Sequence, residues 1–369
     1  MNTADRHHED LPIVGWDAIE LWVGNAKQAA HYYRTAFGFR LVAYAGPETG
    51  LRDRASYVLQ QRAVRLVVTS GLDPDHPASR HQALHGDGIR DVAFTVPDAA
   101  EAFRIAVARG ARPHRDPDVL DDEHGKVVVA AIAAYGDTIH SFVQRADYGG
   151  VYLPGYRPVA SDLIARPVGL SGIDHVVCNV ELGEMNDWAD FYARILGFTE
   201  FRHFSDHEIA TDYTALMSKV LWDGIGRIKL PINEPAEGRR RSQIEEFLEA
   251  YRGPGVQHVA MSTGDIISTV TALRDNGVQF LDIPAQYYDD ARDRVGDINE
   301  QWDALQDLGV LVDRDEEGYL LQIFTEPVQD RPTLFYEIIQ RHGATGFGVG
   351  NFKALFEAIE RAQARRGNL

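Results

Sequence analysis

Cysteine is almost absent from this chain: Cys178 stands alone among 369 residues. An intramolecular disulfide and a multi-thiolate zinc site are thereby excluded, and any bound metal must be held by nitrogen and oxygen. Long apolar runs are missing too, since no stretch approaches the roughly 18 residues that span a bilayer. The opening MNTADRHHEDLP has neither the basic start nor the apolar centre of a signal peptide, so cytoplasmic residence without a membrane partner is expected. Positive charge is scarce. Lys and Arg number 37 against 55 Asp and Glu, a balance of −18 that argues against nucleic acid as a partner, because phosphate binding needs clustered cations. The run Arg239-Arg240-Arg241 reads as a solvated turn. With 44% hydrophobic and 25% charged residues the composition is that of a globular enzyme, and the length suggests two cores rather than one.

What the chain has instead is repetition. GWDAIELWVGNAKQAAHYYRTAFGFRLVAY from Gly15 reads as an alternating strand, an amphipathic helix, a closing glycine and a second strand. GIDHVVCNVELGEMNDWADFYARILGFTEFRHF from Gly172 repeats that order. GDGIRDVAFTV from Gly86 and GPGVQHVAMST from Gly253 open two further strand-helix units. RASYVLQQRAVRLVVTS and DYTALMSKVLWDGIGRIKLPI read as hairpins. The implied fold class is α+β: four βαβββ modules, paired into two half-barrel domains whose strands curl around a cleft. Gly and Pro between residues 148 and 169 interrupt any period, dividing an N-terminal pair, residues 1–155, from a C-terminal pair, residues 156–369.

The two halves differ in what they can bind. Asp174-His175 matches Asp17-Ala18, His258 of GVQHVA matches Asp91 of GIRDVA, and Glu337 of RPTLFYEIIQR is matched to Phe142 of GDTIHSFVQR. Alternation places His175 on one face with Ile173 and Val177, and Glu337 with Phe335 and Ile339. A carboxylate on an apolar face is costly unless something pairs with it. Singly, each residue has a plainer reading, as a hydrogen-bonded core imidazole or as a Glu paired with Arg331 or Arg341. Together, at matching ends of repeated modules, His175, His258 and Glu337 form a candidate metal site, and the first half is expected to be non-catalytic. Two His and one carboxylate leave adjacent coordination positions open, as in Fe(II) oxygenases, although catalytic zinc uses the same ligand types.

Beyond the triad, GIDHVVCNV, PINEP at Pro231, RSQIEEFLE, GVQH, DEEGYLLQIFT, RPTLFYEIIQR and GFGVGNFKALFEAIE follow one another in an order that covers residues 12–369. In these motifs the chain resembles the vicinal-oxygen-chelate superfamily and, within it, the 4-hydroxyphenylpyruvate dioxygenase family. The resemblance implies Fe(II) as cofactor, a small aromatic α-keto acid and O2 as partners, and a homo-oligomer. It implies conversion of 4-hydroxyphenylpyruvate to homogentisate and CO2, a step of tyrosine and phenylalanine catabolism. It also implies Gln257, Gln322 and Phe324 as catalytic residues, with the two amides near the metal and keto acid. Ser218, Asn233 and Gln243 are implied at the phenol end of the substrate, and Phe347 and Phe352 against its ring. Alternation puts Gln322 and Phe324 on one face but turns Gln257 away from His258 unless the strand bulges there.

The glycines of GFGVGNFKALFEAIERAQ lack the Lys-Ser pair and the strand-to-helix context of a phosphate loop. Phe352, Leu355, Phe356 and Ile359 form a stripe at helical spacing behind Gly346, Gly348 and Gly350, the pattern of a C-terminal gating helix over the barrel mouth. Val349 departs from the basic residue common in the family. Two alternatives stand beside the dioxygenase: 4-hydroxymandelate synthase, which oxidises the benzylic carbon, and a non-catalytic ligand-binding protein of the same fold. PINEP and GNFKALF favour the ring-hydroxylating enzyme over the first, and the intact triad argues against the second.

Overall fold

A computed structural model of the chain describes residues 11–160, 164–204, 216–236 and 241–367. The polar opening to residue 10, Arg239-Arg240 and the DYTA start of the second expected hairpin lie outside the described residues. The first module comprises β1 (Gly15–Trp22), α1 (Ala26–Thr35), β2 (Arg40–Ala45), β3 (Arg54–Gln61) and β4 (Val64–Gly71). A linking helix, α2 (Pro77–His85), leads to the second module: β5 (Gly88–Thr95), α3 (Ala99–Ala108), β6 (Pro113–Asp122), β7 (Gly125–Ala133) and β8 (Ile139–Gln144). After the short β9 (Arg157–Pro158) the third module follows as β10 (Leu170–Asn179), α4 (Met185–Leu196), β11 (Thr199–Phe204), β12 (Leu216–Trp222) and β13 (Lys229–Pro235). Helix α5 (Gln243–Tyr251) precedes the fourth module, which consists of β14 (Gly255–Thr263), α6 (Ile266–Asp275), β15 (Leu311–Arg314), β16 (Tyr319–Phe324) and β17 (Phe335–His342). That module carries an unforeseen insertion, α7 (Ala285–Val295) and α8 (Trp302–Leu308), and α9 (Phe352–Arg366) closes the described chain.

The expected α+β fold class, four modules paired into two curled half-barrel sheets, is the architecture observed. Strand order is β6-β7-β8-β5-β1-β4-β3-β2-β9 in one sheet and β11-β12-β13-β10-β14-β17-β16-β15 in the other. In each, the opening strands of two modules meet antiparallel at the centre, β1 on β5 and β10 on β14. Each opening strand also runs parallel to the closing strand of its own module. β9 pairs with β2, so residues 157–158 attach to the first sheet. Local chemistry supports the repeat: Gln144 and Gln340, at equivalent places on β8 and β17, each accept a hydrogen bond from the first backbone N–H of a module helix, Ala99 of α3 and Ile266 of α6. Asn25 and Asp98 cap α1 and α3, and a Ser242/Glu245 capping box starts α5.

One hydrophobic core runs through both halves, joining Ile19, Phe37 and Phe94 to Val176, Tyr192 and Tyr336. Two buried polar contacts cross the junction. The hydroxyls of Tyr33 and Tyr336 share a hydrogen bond of 2.8 Å. His140, wholly buried, donates through Nδ1 to the Val92 carbonyl and accepts the Tyr192 hydroxyl at Nε2, 2.8 Å away. Burial pushes the His140 ring down to about 4, against the Val92 bond, which favours its charged form. An unfolded histidine titrates near 6.5, so the unfolded chain binds the extra proton between pH 6.5 and 4 and stability falls over that window. The stabilisation is complete above pH 6.5, and its loss by pH 4 amounts to ~3 kcal/mol. Denaturant midpoints measured from pH 7 to 4 should therefore fall more steeply for the native chain than for His140→Asn; equal slopes would contradict this account.

Candidate metal centre and active-site cavity

His175, His258 and Glu337 come from β10, β14 and β17, three neighbouring strands of the second sheet. In the ladder His175 pairs with Ala260 and Ala260 with Glu337, so an imidazole, a methyl group and a carboxylate stand in one row. His258 lies two residues before Ala260, on the same face of β14. The small side chain between two ligands leaves a space into which all three donors project. His175 Nε2 stands 3.1 Å and His258 Nε2 3.5 Å from the same oxygen of Glu337, Oε2. All three groups are buried, and their donor atoms lie within 4.8 Å of one another.

The residues fit a metal. Glu337 Oε1 is buried and accepts no hydrogen bond among the described residues. Neither arginine considered as its partner serves it: Arg331 donates to the carbonyls of Leu84 and Ala250, and Arg341 is committed elsewhere. Burial would raise the Glu337 carboxyl, yet the adjacent His175 and His258 bring it down to about 2. An ionised carboxylate enclosed with two imidazoles and a spare lone pair is the donor set a divalent cation satisfies.

Each imidazole is aimed by its chain neighbour. The pairing of β10 with β14 shifts register between Ile173 and His175, leaving Asp174 as the extra residue, and again opposite Gln257, which lies between the paired Val256 and His258. These are β-bulges, and they turn consecutive side chains toward one site. Asp174 Oδ1 accepts from His175 Nδ1 at 2.8 Å, and Gln257 Oε1 accepts from His258 Nδ1 at 3.0 Å. Both bonds leave Nε2 free as the ligand atom. Asp174 is anchored by two Arg341 bonds of 2.7 and 2.8 Å, with Lys229 Nζ at 3.6 Å. Burial opposes ionisation of Asp174, but Arg341 and His175 hold it well below the usual carboxylate range.

A cavity of ≈ 80 Å³ opens beside the triad. Its wall brings together His175, His258, Glu337, Gln257, Gln322, Phe324, Ser218, Asn233, Gln243, Phe347 and Phe352. Gln257 belongs there because of the bulge that simple alternation cannot foresee. Ser218 and Asn233 face each other across β12 and β13, and Gln243 opens α5. Phe324 meets His258 edge-on at 6.0 Å, while Phe347 meets His175 at 5.0 Å. Phe335, to which the sequence assigned no role, stacks on His258 at 4.8 Å. Leu355, Phe356 and Ile359 of α9 join Phe352 in covering the cavity. Gly348 in the preceding segment has φ +74°, and a Cβ there would meet Gln322 Nε2 at 2.7 Å, so the segment approaches the site as only glycine allows.

One sequence match is corrected. In the ladders Ala260 pairs with Glu337, whereas Phe94 pairs with Phe142, so Ala93 and its neighbour Ser141 are the counterparts of Ala260 and Glu337. The counterpart of Glu337 is therefore Ser141, not Phe142, as the shared Gln-Arg at 144–145 and 340–341 also indicates. Ser141 donates through its N–H and hydroxyl to Asp91, the residue standing where the second half has His258. Asp174, Arg341 and Lys229 were missed. Their signal was the repeated Asp and Arg: Asp17 and Arg145 make the same two-bond pair in the first half.

This fold and donor set define a class, and comparison with known proteins agrees. The model of the Glyoxalase/Bleomycin resistance protein/Dioxygenase superfamily matches residues 15–134 and 172–323. Among curated relatives, a 4-hydroxyphenylpyruvate dioxygenase of Tetrahymena thermophila is 46% identical over 97% of this chain and 92% of its own length. One of Dictyostelium discoideum is 47% identical over 96% of this chain and 100% of its own. A solved structure of a 4-hydroxymandelate synthase mutant from Streptomyces coelicolor is 36% identical, with a TM-score of 0.85 over 95% of this chain and 99% of that one. The chain belongs to this superfamily and, within it, to the 4-hydroxyphenylpyruvate dioxygenase family.

Because Asp174 holds His175 in its ligand orientation, Asp174→Asn should weaken metal retention by ~10–100-fold, as loss of such partners commonly does. Equilibrium dialysis against a chelator, with circular dichroism to verify folding, measures this; undiminished retention would show that Asp174 does not orient the ligand.

Proposed function

We propose that this chain is an Fe(II)-dependent dioxygenase that converts 4-hydroxyphenylpyruvate and O2 to homogentisate and CO2. The observation that carries the reading is the buried triad of two imidazoles and a carboxylate, opening onto a cavity walled by Phe324, Phe335, Phe347 and Phe352. His175, His258 and Glu337 would hold the iron, which when bound supplies the oxygen chemistry that no side chain can. Iron is favoured over zinc because the family's reaction consumes O2.

The chain's own residues bind, orient and exclude. Asp174 and Gln257 keep both imidazoles in the tautomer that presents Nε2. Gln322 and Gln257 offer amide donors beside the triad, suited to a keto-acid carboxylate, and the phenylalanines offer faces and edges to an aromatic ring. Ser218, Asn233 and Gln243 supply the polar end, suited to a phenol hydroxyl; Asn233 Nδ2 also reaches Asn179 Oδ1 at 3.4 Å. Helix α9 shuts the cavity with Phe352, Leu355, Phe356 and Ile359 and keeps water from the reacting centre. In this reading residues 156–369 form the catalytic unit, residues 1–155 serve packing and association, and α9 moves as a gate on its glycine segment. The sole and buried Cys178 suits a reducing, cytoplasmic setting, and a homo-oligomer is carried over from the family.

4-Hydroxymandelate synthase is the second reading, favoured by the structural neighbour of that name. The higher identity to relatives named as 4-hydroxyphenylpyruvate dioxygenases makes ring hydroxylation the better supported outcome. Iron-loaded protein supplied with 4-hydroxyphenylpyruvate should take up O2 and release homogentisate; hydroxymandelate as the product would select the rival. His175→Ala or Glu337→Gln should remove turnover, by at least ~1000-fold, with the fold retained. Near-native kcat in either variant would discard the proposed centre.

A further inference from the structure

A second cluster with the chemistry of a metal site lies at the junction of the halves, away from the cavity. His81 and His85, four apart on the last turns of α2, share one face of that helix. Both are buried, at 3% and 4% exposure. Asp137 reaches them from the turn between β7 and β8, with a partly exposed carboxylate that leaves a way in from solvent. This turn presses on the second half so closely that a Cβ on Gly136 would meet the Pro254 carbonyl at 2.3 Å. Tyr251, at the end of α5, stacks on His85 at 4.3 Å.

Among the described residues, hydrogen bonds leave one buried ring nitrogen of the cluster unserved, His85 Nε2. His85 Nδ1 lies 2.5 Å from the Tyr251 carbonyl oxygen, which can only accept, so Nδ1 carries the hydrogen and the neutral ring leaves a lone pair on Nε2. That Nε2 is buried and has no hydrogen-bond partner among the described residues. His81 places Nε2 3.5 Å from the Tyr251 hydroxyl and Nδ1 3.3 Å from Asp137 Oδ2, a long contact for a hydrogen bond to a carboxylate. His81 Nδ1 and His85 Nε2 face one carboxylate oxygen, Asp137 Oδ2, each at 3.3 Å. A charge-assisted hydrogen bond would be nearer ~2.7–2.9 Å. Donors on a tetrahedron with bonds of ~2.0–2.1 Å stand about 3.3–3.4 Å apart, which is the spacing of both nitrogens from Oδ2. Arg90, a nearby cation, has its guanidinium over the Trp22 ring and bonded to His114, leaving the carboxylate available.

We propose that His81, His85 and Asp137 form a second divalent-metal site, of zinc chemistry, with water as fourth ligand. Because Tyr251 fixes the ring of His85 and belongs to the second half, the ion ties α2 and the β7–β8 turn to α5. The sequence carried half of this signal in the His-x3-His spacing; the third ligand follows 52 residues after His85 in a turn, where no pattern points to it.

The test uses the full chain, iron-loaded and anaerobic, titrated with Zn2+ by calorimetry, with both metals assayed after gel filtration. The expected result is one further equivalent of zinc without loss of iron. Asp137→Asn, a change at a partly exposed side chain, should weaken zinc binding at least about tenfold and leave iron content and zinc-free turnover unchanged. Co2+ added to the same protein should give the intense visible bands of tetrahedral cobalt. Ni2+ should quench Trp22, whose ring lies 5.4 Å from that of His81. Failure of the iron-loaded native chain to take up zinc would overturn the proposal whatever the variant does. So would uptake that survives both Asp137→Asn and His81→Gln, which would locate the ion elsewhere.

Discussion

Three buried donors brought together from distant strands set the strictest demand on this molecule. His175, His258 and Glu337 are separated by 83 and 79 residues along the chain, and only the meeting of β10, β14 and β17 brings them together. The parallel pairing of β14 with β17 and the antiparallel pairing of β14 with β10 must both form in register. A one-residue slip in either would turn a ligand to the other face of the sheet. The deep, continuous core that locks the strands is therefore a condition of the chemistry as well as of stability.

The repeat shows which parts of the centre belong to the scaffold and which to the metal. Both central strand pairs carry bulges at the same places, and both halves keep an Asp on the first strand gripped by an Arg on the last, Asp17 with Arg145 and Asp174 with Arg341. The ligand positions themselves diverge, to Ala18, Asp91 and Ser141. Each half thus offers the same socket, and three residue identities separate the candidate metal centre from its sister.

Much of this was legible in the chain. The repeated strand-helix units implied the two sheets, and the triad emerged because two His and a Glu fall at matching ends of repeated modules whose sisters lack that set of ligands. Gln257 was not assignable by alternation, because a bulge adds a residue and so reverses the face of what precedes it. The match of Glu337 to Phe142 slipped by one place because apolar residues fill both strands and do not fix a register; the shared Gln-Arg pair does. Helices α7 and α8 went unseen since AQYYDDARDRV and WDALQDL are polar and short, and they are ordered by packing against β15 and α6 rather than by a strong apolar stripe of their own.

Asp91 shows how the first half settles the same difficulty by another route. Burial pushes its carboxyl up to about 7, with Ser141 opposing and Glu20 reinforcing the rise. Near neutrality it is poised to take up a hydrogen ion, which can cancel its charge where the sister strand calls on a dication. The first barrel exchanges a charged side chain for a protonated one at this position, and so completes its interior there without a cation.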